Sequence, residues 1–237
     1  ERHADRVSFR FNETVVGFET SGDLITSVVT RNRQGHERIT YAKQILVATG
    51  AESGKVLEEI GVKCPIFPVK GYLVTFTSSR HVPYNCELSS KAFVSPMGNG
   101  TYRLSGFADF VVSADEQEST LTAGSKRIAG LIQVAKQEFP DMQVVDIDFG
   151  YRPVSPDDIP LIGQTSKYKN LYLCTGHGSK GWTMGPGSGK LVADLMLNRR
   201  GDIDPLSYSP KRFDLSFMVN GMFSKECVQK DENWLQI

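Results

Sequence analysis

The sequence predicts an α+β fold, with several antiparallel strands and few helices. Over residues 7–48 the apolar residues alternate with period two, as they do in strands that have one covered face. Residues 119–138 instead repeat their apolar side chains at helical spacing. Because the strands mostly connect as hairpins, this pattern favours α+β over a doubly wound parallel sheet.

The N-terminal part of the chain is expected to form hairpins and then a buried strand. Turn residues at 21–23 and 34–35 separate the alternating segments. The continuous apolar run 45–48 predicts a strand covered on both faces, and a short helix is expected to follow it as far as about Ile60. The alternating segments predicted as strands are residues 7–11, 15–19, 25–29 and 39–41.

The rest of the chain adds further strands and two helices. The helix predicted at residues 119–138 stops at Pro140, because proline does not continue a helix. A buried strand at residues 171–174 leads into a glycine-rich loop, and a second helix is expected at residues 187–198. After Gly201 the sequence is polar and irregular. The other predicted strands are residues 72–76, 92–95, 102–105 and 144–151.

Composition excludes several classes of protein. The chain has 27 Lys and Arg residues and 27 Asp and Glu residues, so its net charge favours neither nucleic acid (DNA included) nor an anionic membrane. No apolar run reaches the roughly 18 residues of a membrane span. The four cysteines are widely spaced, which excludes a disulfide scaffold and zinc spacing and favours an intracellular protein with reduced thiols. These cysteines are Cys64, Cys86, Cys174 and Cys227.

The glycine-rich loop matches a dinucleotide fingerprint by letter. Gly176, Gly178 and Gly181 have the spacing G-x-G-x-x-G and follow a predicted strand. The fingerprint also requires a second strand ending in an acidic residue about 20 positions later, whereas Asp194 lies in a predicted helix. The loop is therefore not the primary pyrophosphate site. Two interpretations stay open: an anion site at a helix N-terminus, or a tight turn that packs helix against sheet.

Four motifs in order resemble a known family. Residues 170–194 closely resemble the last motif of the D-amino-acid dehydrogenases, which belong with the glycine and sarcosine oxidases to the D-amino-acid oxidase-like flavoproteins. Residues 45–51 look like the second FAD signature of that family, and residues 68–71 resemble the entry into its substrate domain. Residues 149–163 resemble the segment with the substrate-carboxylate arginine. The resemblance covers about residues 7–213.

The resemblance implies a fold, a cofactor and a reaction. The fold would combine part of a glutathione-reductase-like FAD-binding domain with an antiparallel-sheet substrate domain. FAD would accept a hydride from the α-carbon of a small amino acid, so neither a catalytic side chain nor a metal is expected. The expected division is residues 1–67 and 154–205 for the FAD-binding domain, residues 68–153 for the substrate domain, and residues 206–237 for a C-terminal tail.

Substrate contacts are expected at one arginine and at aromatic side chains. Arg152 aligns with the family's carboxylate-binding arginine, and a planar guanidinium suits that task. An isolated arginine would more often form a surface salt bridge. Tyr72, Phe93 and Tyr102 are candidates for the pocket wall, of which Tyr72 and Phe93 are predicted substrate contacts, although aromatic residues on strands are often core residues.

Cofactor contacts are implied at three places. His177 aligns with the loop behind the flavin ring but is given no acid–base role, and Lys180 either favours negative charge on the reduced flavin or faces solvent. Val15 aligns with the residue at the adenine end. The implied contacts are Val15, Ala48, Thr49, Gly50, His177, Gly178, Ser179, Lys180, Gly181, Trp182 and Thr183.

The family's opening strand–GxGxxG–helix unit is not found in this sequence. We therefore expect a C-terminal fragment that lacks its N-terminal FAD-binding segment as a partner, and that binds FAD weakly or not at all by itself. Two alternatives stay open: a glycine- or sarcosine-type oxidase, and a non-catalytic subunit that kept the fold without FAD. The expected location is intracellular, in the cytoplasm or peripheral to an energy-transducing membrane. The sequence does not identify the electron acceptor.

Overall fold

The computed structural model describes residues 6–89, 92–111 and 125–214. Within these ranges the chain forms three β-sheets and three α-helices, as the α+β prediction requires. No helix in the described ranges is long and apolar enough to cross a membrane. The strands are β1 (Glu13–Ser21), β2 (Leu24–Asn32), β3 (Glu37–Tyr41), β4 (Ile45–Val47), β5 (Phe67–Thr77), β6 (Cys86–Ser89), β7 (Ala92–Gly98), β8 (Thr101–Phe110), β9 (Gln143–Val154), β10 (Leu161–Gln164) and β11 (Leu171–Thr175), and the helices are α1 (Ser53–Glu58), α2 (Lys126–Glu138) and α3 (Gly181–Met196).

The first sheet is the predicted meander of β1, β2 and β3, paired antiparallel in that order. Its turns contain Gly22 and Gly35, with φ angles of 58° and 86°, which glycine adopts without strain. The strand predicted at residues 7–11 does not form, and Phe9 and Phe11 are exposed there. Period-two alternation alone was misleading at this place, because a strand also needs a partner.

The second sheet has the order β10–β11–β4, with β11 parallel to β4 and antiparallel to β10. Asn170 ties this sheet to the first one, because its side chain both accepts from and donates to the backbone of Ile25. Ile45 and Val47 are buried, but Leu46 is 39% exposed, so the prediction that β4 is covered on both faces was wrong. The parallel pairing brings the carboxyl ends of β4 and β11 to the same edge.

The third sheet is antiparallel, in the order β6–β7–β8–β5–β9, and α2 packs against one face. Apolar side chains from β5, β7, β8 and α2 form one core there, including Val74, Phe76, Val94, Leu104, Leu131 and Phe139. On the opposite face, Val69 of β5 lies across from Arg152 of β9. This second face lines the cleft described below.

The helices predicted at residues 119–138 and 187–198 correspond to α2 and α3. The described part of α2 begins at Lys126, and residues 119–124 of the prediction lie outside the described residues. Helix α3 begins at Gly181, six residues before the predicted start, and contains Pro186. Glycine and proline both have low helix propensity, which concealed this first part of the helix. Strands β6 and β10 were not predicted, because both lie in segments rich in turn residues.

Candidate functional site

The glycine loop joins β11 to α3, and its first glycine is required by both conformation and space. Gly176 has a φ of +81°, which side-chain-bearing residues rarely adopt. A Cβ atom there would lie 2.9 Å from Ile66 Cδ1 and 3.0 Å from Leu161 Cδ1, two side chains of the same buried core. Gly176 therefore forms a tight turn packed against this core, which supports the tight-turn interpretation of the loop.

The next residues of the loop are bonded to the end of β9. The Gly178 N–H donates to the Pro153 carbonyl at 2.7 Å, and His177 forms a β-bridge with Val154. Because Arg152 immediately precedes these β9 residues, this backbone pairing holds the loop beside it. Lys180 forms an exposed ion pair with Asp158, in line with the solvent-facing alternative.

His177 is half-buried against α3. Its Nε2 atom lies 2.9 Å from Ser188 Oγ, a hydrogen bond whose direction depends on the imidazole tautomer. Burial lowers the pKa of His177 below 6.5, which favours the neutral ring at neutral pH. These contacts give His177 a packing role, and we assign it no proton transfer.

The N-terminus of α3 is suited to an anion. The first amides of a helix lack intrahelical acceptors and carry the positive end of the helix dipole. No side chain caps this end, and its first turn contains no acidic residue. Trp182 in that turn is 97% exposed, and Thr183 is also exposed. The end of α3 is thus open to a bound group.

A chain of hydroxyl groups connects the ends of β4 and β11. Ser53 Oγ donates to Thr175 Oγ1 at 3.0 Å, and Thr175 Oγ1 donates to the Gly50 carbonyl at 3.0 Å. Thr49 Oγ1 lies 3.1 Å from Ser53 Oγ. Ser53 and Thr175 are buried, whereas Ala48 and Thr49 are exposed beside them. This network holds Thr49 and Gly50 at the edge where the glycine loop begins.

Arg152 lies in a cleft of about 680 Å³ between the third sheet and the glycine loop. Its Nη1 atom donates to the Phe107 carbonyl at 2.9 Å. Within the described ranges no carboxylate forms an ion pair with Arg152, so the alternative of a surface salt bridge is not observed there. Other residues that line the cleft include Val69, Phe93, Phe110, Val154, Gly178 and Ser179, together with the charged Arg127 and Asp158.

The aromatic candidates separate onto the two faces of the third sheet. Phe93 is half-exposed and lines the cleft with Arg152. Tyr72 lies on the opposite face, where its hydroxyl donates to Asp109 at 2.9 Å and burial raises its pKa. Tyr102 is buried in the α2 core. The structure therefore brings Phe93 to Arg152 but not Tyr72 or Tyr102, so for Tyr72 the core interpretation holds.

Phe107 and Arg127 also line the cleft and were not predicted from the sequence. Phe107 has a φ of +58°, an unusual conformation for a residue with a side chain, and its ring contacts Arg127 of α2. Burial alone would raise the pKa of Asp109, but hydrogen bonds from Arg127 and Tyr72 outweigh it and hold that pKa below its ordinary value. No sequence pattern marks Phe107, because its conformation follows from packing between distant segments.

Val15 is separate from the cleft. It is half-buried on β1, next to a bulge in the pairing with β2. It does not line the cleft, and its implied position at the other end of the cofactor stays a prediction.

Comparison with known proteins gives the chain's relationships. A D-amino acid dehydrogenase of Granulibacter bethesdensis is 34% identical over 216 residues, which cover 87% of this chain and 48% of that protein. An L-amino acid deaminase structure from Proteus vulgaris, with its specific insertion sequence deleted, is 25% identical with a TM-score of 0.66, covering 85% of this chain and 49% of that one. A glycine oxidase structure from Geobacillus kaustophilus is 21% identical with a TM-score of 0.68, covering 83% of this chain and 51% of that one. The last likeness, at this low identity, concerns the fold alone.

The chain spans about half the length of each of these three proteins. The family described as FAD dependent oxidoreductase, abbreviated DAO, matches residues 3–195. This match includes the glycine loop, the start of α3 and the arginine of the cleft. The chain belongs to the DAO family of FAD-dependent oxidoreductases.

Proposed function

We propose that this chain is the substrate-binding part of an FAD-dependent amino-acid oxidoreductase, most like a D-amino-acid dehydrogenase. The observation that carries the proposal is a single cleft lined by both Arg152 and residues Gly178 and Ser179 of the glycine loop. A group that binds carboxylates therefore lies next to the loop that is predicted to contact the flavin. The 34% identity to a protein named D-amino acid dehydrogenase supports this choice of substrate class.

Arg152 is proposed to bind the substrate carboxylate. Its guanidinium has donors left after the single bond to the Phe107 carbonyl, and two parallel N–H···O bonds would fix the orientation of a carboxylate. Phe93, Val69 and Val154 supply apolar walls. Such walls exclude water and strengthen the charge-assisted bonds inside the cleft.

The residues present fit FAD. The hydroxyl network holds Thr49 and Gly50 beside the glycine loop, and the open N-terminus of α3 favours an anion, including a reduced flavin ring. When bound, FAD would supply the hydride acceptor for the substrate α-carbon. Residues 48–50 and 177–183 would hold it, Val15 would contact its adenine end, and Arg152 would orient the substrate toward the ring.

We also propose the domain division. The third sheet with α2 corresponds to the substrate domain, residues 68–153, and the first two sheets with α3 correspond to the FAD-binding parts, residues 1–67 and 154–205, followed by the tail from residue 206. The strand–GxGxxG–helix unit is expected elsewhere in the full-length protein.

We propose an intracellular location as well, because sparse cysteines suit a reducing compartment, and cell fractionation tests this.

The test uses the full-length flavoprotein and a panel of D- and L-amino acids. Anaerobic mixing should bleach the flavin absorbance for at least one amino acid, and Arg152→Ala should lower kcat/KM by about 30-fold, the equivalent of about 2 kcal/mol. Arg31→Ala is the control, since Arg31 is paired with Glu37 on the first sheet. Absence of bleaching with every amino acid would favour the non-catalytic alternative, and unchanged kinetics in Arg152→Ala would reject the proposed role of Arg152. Oxygen consumption during turnover would indicate an oxidase, whereas reduction of a dye without oxygen consumption would indicate a dehydrogenase.

A further inference from the structure

The guanidinium of Arg152 lies directly against the backbone of Gly71 on the neighbouring strand β5. A Cβ atom built at Gly71 would be 2.6 Å from Arg152 Cζ, 2.6 Å from Nη2 and 2.7 Å from Nη1. All three of the nearest heavy atoms therefore belong to this one guanidinium. The hydrogen of Gly71 is the only substituent that fits under the flat side of the guanidinium.

Gly71 is not required by its backbone conformation. Its φ is outside the left-handed region, so alanine would fit the strand without conformational strain. The atoms that a Cβ would meet are the far end of a flexible side chain, which moves more easily than backbone. Replacing Gly71 should therefore leave the fold intact and displace the guanidinium.

We propose that Gly71 is a positioning residue for substrate binding, because its missing side chain lets Arg152 lie flat against β5 with its Nη1 bonded to the Phe107 carbonyl. This inference rests on the proposed function, in which Arg152 binds the substrate carboxylate. The guanidinium is held by the carbonyl on one side and by the glycine on another. Both contacts together define where the carboxylate binds in the cleft.

The size of the displacement follows from the distances. Ordinary contact with a Cβ begins at 3.4 Å, so Arg152 Cζ at 2.6 Å must withdraw by about 0.8 Å or rotate away. A displacement of about 1 Å at a substrate-positioning group costs up to about 100-fold in rate. Gly71→Ala is expected to raise KM and lower kcat/KM by about tenfold to 100-fold.

Gly150 offers a matched control. It is the direct cross-strand partner of Gly71 on β9, and a Cβ at Gly150 would meet nothing within 4 Å. Gly150→Ala should therefore keep the wild-type KM. Both substitutions add one methyl group to the same pair of strands, so a difference between them reports the contact with Arg152.

The experiment is a double-mutant cycle in the full-length flavoprotein, with Gly71→Ala, Arg152→Ala and both together. The readouts are kcat, KM and the dissociation constant of acetate from its perturbation of the flavin spectrum. We expect Gly71→Ala to raise KM and the acetate dissociation constant, and to have no further effect once Arg152 is alanine. A structural role alone would reduce the amount of folded enzyme without changing either constant.

Three results would overturn the inference. If Gly71→Ala keeps the wild-type KM and acetate dissociation constant while Arg152→Ala is impaired, the positioning role of Gly71 is rejected. The proposed function is then unaffected. Unchanged constants in Arg152→Ala would reject the proposed function and this inference with it. Failure to fold of Gly71→Ala in both backgrounds would show that the fold itself needs the glycine, since removing the arginine side chain provides the missing room.

Discussion

The glycine at the start of the α3 loop provides the sharpest stability prediction. Gly176→Ala introduces two separate penalties. The φ of +81° costs a side-chain-bearing residue about 1–2 kcal/mol. The new Cβ would also overlap with Ile66 Cδ1 at 2.9 Å and Leu161 Cδ1 at 3.0 Å, and overpacking of a core costs about 1–3 kcal/mol. The free energy of unfolding should fall by about 2–5 kcal/mol.

Two other glycines separate these penalties. Gly50 has a φ of +59° but open space around it, so Gly50→Ala should cost only the conformational penalty of about 1–2 kcal/mol. Gly185 in α3 has neither constraint, and Gly185→Ala should be neutral or stabilising by up to about 1 kcal/mol. Urea unfolding of the three variants measures each difference. If Gly176→Ala is no less stable than Gly50→Ala, the argument from crowding against Ile66 and Leu161 is wrong.

Three further predictions concern the site. Thr175→Val should lower the free energy of unfolding by about 1–3 kcal/mol in urea titrations, because Ser53 loses a buried acceptor, and a loss below about 0.5 kcal/mol would contradict the network. Burial lowers the pKa of His177 in the folded state, so the unfolded chain binds the proton first as the pH falls. The free energy of unfolding should therefore decline as the pH falls from 6.5 to the lowered pKa of the folded state. This decline should be weaker in His177→Gln than in the wild type. Equal slopes of unfolding free energy against pH in the two proteins would refute the prediction. Tyr72→Phe should keep the wild-type KM in steady-state assays, because its hydroxyl contacts Asp109 on the α2 face, and a raised KM would return Tyr72 to the substrate site.

Local sequence patterns were sufficient for the hairpins and for the order of the motifs. Turn residues around Gly22 and Gly35 separated the strands of the first sheet correctly, because positive φ angles favour glycine strongly. The apolar run after residue 44 also marked a true strand, although Leu46 is exposed on one face. These features depend on residues close together in the chain, so local sequence patterns were able to predict them.

Contacts between distant segments could not be predicted from local sequence patterns. Alternation placed Tyr72 on a strand, but it did not say which face would carry α2, and the structure puts Tyr72 on that face. The contact between Gly71 and Arg152 depends on the register of β5 against β9, which no local pattern specifies. The start of α3 was concealed by its own glycines and Pro186. Family resemblance singled out Arg152, and the fold supplied its surroundings.

In the proposed function, Arg152 holds the substrate carboxylate beside a flavin backed by the glycine loop. A crystal structure of the full-length protein with FAD and an unreactive amino-acid analogue tests it most directly. We predict two N–H···O bonds of about 2.7–2.9 Å from the Arg152 guanidinium to the carboxylate, with the flavin ring against residues 177–183. A carboxylate bound away from Arg152, or a flavin ring remote from this loop, would show that the proposed site is wrong.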